Sequence, residues 1–328
     1  MLRPRGAGSR RPIRVVLIGL GAIGSALGVE LLRTSDFELI GAVDPRMEGT
    51  KVGGVPVGST LSVLYEIQAD VAFVTTSSSI RAAAKELEAA VRSGCDVLTT
   101  CEEMAFPWVA EPAIADHLDR VAKASQVRLL GCGVNPGFLM DALPVMLSGA
   151  CVDVTSIRVA RSVDLARRRP QLAEKLGTGL DEGSWRRRAR DVEFGHRGLV
   201  ESAWLCAIGA GWTVRSHVFD RSPVLRDGTV VGVSEVVDLR AAEDRSVRLE
   251  LRFEVGGTDG DSIAIDGRPP LRVVFEGGVQ GDDATVARLM NCARSVHTLP
   301  SGLRLPIEIP AWAQRRSQGM AAEPTSEQ

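Results

Sequence analysis

The sequence predicts an α/β chain in two parts: an N-terminal doubly wound parallel sheet, then a C-terminal α+β domain with a mostly antiparallel sheet. Three observations carry this reading. Over the first 135 or so residues, short apolar runs alternate with helical patterns, as strand–helix–strand units do. A glycine-rich turn joins the first run to the first helix. From about Asp153 the character changes to apolar runs separated by turn residues, the pattern of an antiparallel sheet.

The N-terminal strands are expected at Arg14–Ile18, Glu38–Val43, Val71–Thr75, Asp96–Thr99 and Val127–Leu130. They are continuous and rich in β-branched residues, as strands covered on both faces are. Helices are expected at Ala22–Arg33, Ile80–Ser93 and Pro112–Ala124, where apolar residues recur three and four apart, with Gly94 closing the second. In the second part, strands are expected at Val154–Ala160, Thr229–Leu239, Arg248–Val255, Ile263–Ile265 and Leu271–Phe275, with turns at Asp227-Gly228, Gly256-Gly257 and Asp266-Gly267. The polar segment from Asp164 to Arg190 reads as helices or a lid. A last helix, Ala284 to Val296, follows Gly281-Asp282-Asp283, where an aspartate can cap it. The expected division is a flexible tail over 1–12, a dinucleotide-binding domain over 13–135 and a substrate and oligomerisation domain over 136–283. A helical segment over 284–312 is expected to pack back near the first domain, and a disordered tail over 313–328.

Composition removes several functions. Basic and acidic residues nearly balance, 39 against 41, so no overall field favours nucleic acid or an anionic membrane. The basic N-terminus and Arg186 to Arg188 read as solvated surface. No apolar run reaches the roughly 18 residues of a membrane span, and the run after the basic N-terminus is too short for a signal segment. The six cysteines, at 95, 101, 132, 151, 206 and 292, lack metal-type spacing and fit a reducing cytoplasm. No metal site is expected.

Gly19-Leu20-Gly21-Ala22-Ile23-Gly24 follows a strand and opens a helix, the context in which G-x-G-x-x-G binds a dinucleotide in a Rossmann fold. The first glycine permits the turn, the second lets backbone approach a pyrophosphate, and the third packs helix on strand. The free N–H groups of the helix then face the phosphates. Asp44 stands 20 positions after Gly24 (44 − 24), where an acid accepts hydrogen bonds from the adenosine ribose. It favours NAD, whereas Arg46 suits a 2′-phosphate and leaves NADP open. The cofactor candidates are Gly19, Gly21, Ala22, Ile23, Gly24, Asp44, Arg46, Thr75, Thr76, Asn135 and Pro136.

Chemistry in such sheets lies beyond the C-terminal strand ends. Two segments stand there: Thr99 to Pro107, which contains Glu102-Glu103, and Gly131 to Asp141, which contains Asn135-Pro136-Gly137-Phe138. A carboxylate held there away from bulk water can exchange protons near neutrality. Asn135 and Phe138 are candidates to touch substrate.

On these residues the chain resembles the 2,4-diaminopentanoate dehydrogenases and the native amine dehydrogenases, distant relatives of dihydrodipicolinate reductase. The resemblance runs through Thr100 to Glu103, Gly133 to Asp141, Arg161 to Asp164, Arg168-Arg169, Lys175 to Gly179, Gly195 to Leu199 with Glu201-Ser202, and Gly281-Asp282. It implies oxidative deamination of an amine or amino acid, or reductive amination of the matching ketone or ketoacid with ammonia. It places amine binding and proton transfer on Glu102 first and Glu103 second. It also implies that Arg161 and His196 hold a substrate carboxylate. Lys175 and the arginines before it read as loop or oligomer contacts. Arg197 departs from the small apolar residue expected after the histidine, and Trp185, Trp204 and Trp212 are expected to reshape the pocket. None of the four histidines are adjacent, so the double-histidine signature of true dihydrodipicolinate reductases is missing. A homodimer follows by analogy. The other readings are an imine or carbonyl reductase that needs no ammonia, and a nucleotide-binding protein without chemistry.

Overall fold

The computed structural model describes residues 11–168, 170–191 and 194–312. The tail expected over 313–328 and most of the one expected over 1–12, like Arg169, lie outside the described residues. Arg11 is anchored rather than loose: its guanidinium grips both carboxylate oxygens of Asp70 at 2.7 Å.

In chain order the first half comprises β1 (Ile13–Ile18), α1 (Ala22–Leu32), β2 (Phe37–Val43), β3 (Lys51–Val52), β4 (Val55–Gly58), α2 (Val63–Glu66), β5 (Val71–Val74), α3 (Ile80–Arg92), β6 (Asp96–Thr99), α4 (Pro112–Ala124) and β7 (Arg128–Gly131). Then follow α5 (Ala142–Ser148), β8 (Val152–Asp164), α6 (Pro170–Lys175), α7 (Glu182–Arg188), α8 (Leu199–Gly209), β9 (Val214–Arg226), β10 (Thr229–Ala241), β11 (Ser246–Glu254), β12 (Gly260–Arg268), β13 (Leu271–Glu276), α9 (Gly281–Ala293) and β14 (Gly302–Arg304).

The first sheet runs β14-β7-β6-β5-β1-β2-β4-β3 and is parallel except for the small β3–β4 hairpin. Its inner strands are apolar because helices cover both faces: α3 and α4 close one core, α1 and α9 the other. β14 adds a strand beside β7, and Thr285 of α9 accepts the Val134 N–H at 3.2 Å. The C-terminal residues thus join the first sheet and meet the loop after β7.

The second sheet runs β13-β12-β8-β11-β10-β9, antiparallel save for β8 beside β11. Residues alternate along its strands, and the inner set packs on α5 and α8. One cross-strand rung of that inner face is charged. From β12 to β9 it reads Asp261, Arg161, Leu251, Glu235, Arg221. Arg161 pairs with Asp261 at 3.2 Å and Arg221 with Glu235 at 2.7 Å. The halves also meet through Phe106, whose ring stacks on Trp204 with centroids 5.6 Å apart.

Several expectations need correction. Asp282 and Asp283 do not cap the last helix; it begins at Gly281, and both aspartates lie in its first turn, where they favour the helix dipole. Asp266-Gly267 is not a turn but part of β12, at a register shift, and the reversal falls at Pro269-Pro270. β9, α8 and β14 had no counterpart in the sequence reading.

Candidate active site

The phosphate cradle is built where β1 ends. Gly19 adopts φ +91°, which makes the turn. A side chain at Gly24 would strike the Gly19 carbonyl oxygen, whereas Gly21 faces open space. The three glycines therefore divide as turn, opening and packing, and the opening is what a pyrophosphate requires. A cavity of about 690 Å³ continues from this turn past Asp44 and Arg46 to Leu61 and Glu86. Asp44 accepts the Leu20 N–H at 2.7 Å and the Arg46 N–H at 2.8 Å, one on each carboxylate oxygen, so it fixes the loop while keeping lone pairs free. The residues present fit a dinucleotide.

A second cavity, about 260 Å³, lies on the other side of the turn. Ala22, Ile23, Thr75 and Thr76 form the wall nearest the glycines, with Glu102, Asn135 and Pro136 beside them. The second sheet contributes Arg161, Val163 and Phe253; Arg168, Leu172 and His196 come from the segments that follow β8, and Asp282 and Thr285 from α9.

Glu102 and Glu103 begin a short 3₁₀ turn directly after β6. That turn is pinned because Ser78 O accepts the Glu103 N–H at 3.4 Å and the Cys101 thiol at 3.3 Å. The two glutamates then separate. Glu103 is buried; one oxygen accepts the Ile80 N–H at 2.8 Å, capping α3, and the other pairs with Arg197. It does not line the cavity, and Arg197, the unexpected residue after the histidine, is its counter-ion. Glu102 faces the cavity, and its Oε2 is buried with no hydrogen bond among the described residues.

Two further buried atoms share that condition. Asn135 Oδ1 accepts no hydrogen bond among the described residues, and His196 Nδ1 stands 3.4 Å from Glu235 Oε2 without forming one. Buried polar atoms are normally paired, so the Glu102 and Asn135 oxygens at one cavity mark a place for a polar ligand, whereas His196 Nδ1 faces Glu235. The His196 position is held from behind, since its carbonyl accepts from Arg221 at 2.5 Å. Arg161 spends one nitrogen on Asp261 and another on the Val279 carbonyl at 2.7 Å. Burial lowers the Arg161 pKa and raises that of Asp261, so loss of water outweighs their mutual attraction.

Some candidates lie elsewhere. Phe138 packs in the second core under Arg288 and lines neither cavity, because its side chain fills the space beneath α9. The tryptophans do not shape the cavity: Trp185 and Trp212 are buried in the second core and Trp204 stacks on Phe106. Lys175 is not a peripheral loop residue. Its Nζ donates to Ser78 Oγ at 3.2 Å and stands 4.0 Å from Glu102 Oε2. Arg168 lines the cavity and donates to Gln280 at 2.5 Å. Asp141, at the end of the Asn135 segment, is fully buried and structural. It accepts from Gly137 N, Ala142 N and Ser202 Oγ, and burial holds its carboxyl above the usual range.

Sequence reasoning names Arg168 and Lys175 but assigns them to loop or oligomer contacts, and it misses Thr285, Glu235 and Arg221. Glu235 did carry a signal: a lone acid between Val233 and Val237, on the inner face of a period-two strand.

Comparison with known proteins places the chain by family and fold. The chain is 29% identical to 2,4-diaminopentanoate dehydrogenase of Acetoanaerobium sticklandii, over 91% of this chain and 93% of that protein. Its fold matches an amine dehydrogenase from Mycobacterium smegmatis with TM-score 0.83 at 22% identity, covering 93% of this chain and 97% of that one. It also matches GenD2 from gentamicin A biosynthesis, solved in complex with NAD, with TM-score 0.55 at 18% identity, over 84% and 75% of the two chains. Residues 10–100 match the family described as CoA binding domain, a stretch that includes the glycine turn. Residues 138–315, more than half of the sequence, match the 2,4-diaminopentanoate dehydrogenase C-terminal domain, and the chain belongs to that family.

Proposed function

We infer that the chain is a nicotinamide-dependent oxidoreductase acting at a CH–NH2 centre, with an amine or amino acid on one side and a ketone or ketoacid plus ammonia on the other. The observation that carries this is the Glu102 carboxylate, its buried oxygen left without a hydrogen bond at a cavity beside the glycine turn, together with the equally unsatisfied Asn135. Membership of the family and the likeness to 2,4-diaminopentanoate dehydrogenase support the reaction class. When bound, the dinucleotide supplies the hydride acceptor or donor.

Glu102 accepts a hydrogen bond from the amine nitrogen and takes the proton that an ammonium substrate must lose. Asn135 offers a further acceptor. Arg161 and His196 form the opposite wall, where the guanidinium and imidazole receive a substrate carboxylate. Val163 and Phe253 keep water from the reacting carbon. Asp44, placed for the ribose hydroxyls, favours NAD over NADP. We further propose that the enzyme works as a homodimer in the cytoplasm; the six cysteines are free thiols, five of them buried. No helix among the described residues is long and apolar enough to cross a membrane.

The test is initial-rate assay with both cofactors, using amines and amino acids in one direction and ketoacids or ketones with ammonia in the other. Glu102→Gln is expected to lower kcat/KM by roughly 10²- to 10⁴-fold while reduced cofactor still binds. Glu103→Gln is expected to act on stability instead, since it weakens a buried pair and the α3 cap. Full amine turnover by Glu102→Gln would overturn the assignment, and turnover that ignores ammonia would favour an imine or carbonyl reductase.

A further inference from the structure

Lys175 is the last residue of α6, a helix without a fully buried residue that rests on the second core through Leu172. Its ammonium is nonetheless aimed inward. It donates to Ser78 Oγ at 3.2 Å and lies 4.0 Å from the orphaned Glu102 Oε2, too far for a hydrogen bond. Ser78 is itself tied to the turn that carries Glu102 through its carbonyl oxygen. The lysine is therefore fixed relative to Glu102 but does not satisfy it.

We propose that Lys175 is a positioning residue that sets the charge of the amine bound at Glu102, holding it as the neutral base. The inference rests on the amine-oxidising reading above. A substrate ammonium that reaches Glu102 meets a second cation a few ångströms away. Like charges at such separation disfavour both being protonated; the substrate is the one that can give up its proton, by way of the Glu102 carboxylate to solvent, and the same cation returns that carboxylate to its ionised, accepting form. Oxidation needs that loss. The C–H bond breaks with its electron pair departing as hydride to the oxidised nicotinamide, and the nitrogen lone pair closes the C=N bond. The substrate leaves oxidised by two electrons as an iminium ion, which water then hydrolyses to ketone and ammonium. An ammonium nitrogen has no lone pair and cannot take part.

Other charged groups around this point are largely engaged: Glu103 with Arg197, Arg161 with Asp261, and Arg168 near Gln280 and Asp259. His196 stands by Glu235. Glu201 of α8 lies close by, its carboxyl pushed up to about 7 by burial and by Glu103 and Glu102.

The experiment is the pH profile of kcat, which reports groups in the bound complex, for oxidation of the best substrate from a panel of 2,4-diaminopentanoate, the common amino acids and short primary amines. Parent, Lys175→Met and Lys175→Arg are compared, each also in a Glu201→Gln background so that Glu201 is removed from the profile. Binding of reduced cofactor, followed by fluorescence, serves as the control for folding. Lys175→Met is expected to move the acid limb upward by about one pH unit, a roughly tenfold loss of kcat on that limb, with cofactor binding kept. Lys175→Arg is expected to restore the limb. An unmoved limb in Lys175→Met, with amine oxidation intact, overturns the role of Lys175 alone. A parent that binds cofactor but oxidises no amine in the panel overturns the underlying reading, and this inference with it.

Discussion

At the scale of single residues, burial separates three neighbouring carboxylates into different tasks. Glu102 faces the cavity, Glu103 caps α3, and Glu201 sits behind them both, buried in the first turn of α8. Glu201 has its carboxyl raised to about 7 from an ordinary value near 4.5, first by burial and then by the charges of Glu103 and Glu102. A group raised on folding binds its proton more tightly in the folded chain. Stability therefore falls as pH rises between about 4.5 and about 7, and levels off above. The expected size is roughly 3 kcal/mol, at about 1.4 kcal/mol for each pH unit between those two values. Glu201→Gln is expected to flatten that decline in urea melts taken from pH 5 to pH 8; a parent whose stability does not fall across this window would contradict the placement of the carboxyl. The two adjacent glutamates could not be told apart in the sequence, because the difference is made by partners far along the chain. Arg197 is 94 residues from Glu103 and Ile80 is 23.

Elements were legible in proportion to how fully two neighbours bury them. β1, β5 and β6 are apolar nearly throughout and sit inside a parallel sheet, so composition alone located them. β9 is an edge strand with polar residues on both faces and Pro223 in its second half, which removes a donor and hides it from an alternation test. α8 escaped for the opposite reason: it is buried nearly all round and lacks a polar face. The site divides the same way. The glycine turn, Glu102 and Asn135 are in compact motifs, whereas Arg168 and Lys175 lie in a polar stretch whose inward aim depends on α6 folding over the cavity. The inner rung of the second sheet permits a sharper test. Removing one member of the Arg161–Asp261 pair leaves a buried charge without its partner, at a cost of about 3–5 kcal/mol. Asp261→Ala should lower the melting temperature strongly. Arg161→Met with Asp261→Leu should recover most of that loss, because the pair's desolvation outweighs its attraction, while weakening carboxylate-bearing substrates relative to simple amines. If the double variant is as unstable as the single, the pair contributes more than its burial removes.

For the whole molecule, the proposed assembly would use the second sheet. α5 and α8 cover its inner face, and the outer face carries cross-strand ion pairs such as Arg248 with Asp238 and Arg158 with Asp266. The proposed homodimer predicts twice the 35.0 kDa chain mass in light scattering, and a single-chain mass at working concentration would remove it. The charged rung of the second sheet reaches the cavity through Arg161. Its members share one line of hydrogen-bonded register, so the distance from Glu102 to the charged wall is graduated like a ruler. The next inner row towards the cavity, Val163 and Phe253, lies roughly 7 Å along the strands, two residues' rise. Moving the charges from one row to the other, as cross-strand pairs rather than singly, would change the length of substrate the cavity measures without altering the fold that holds it.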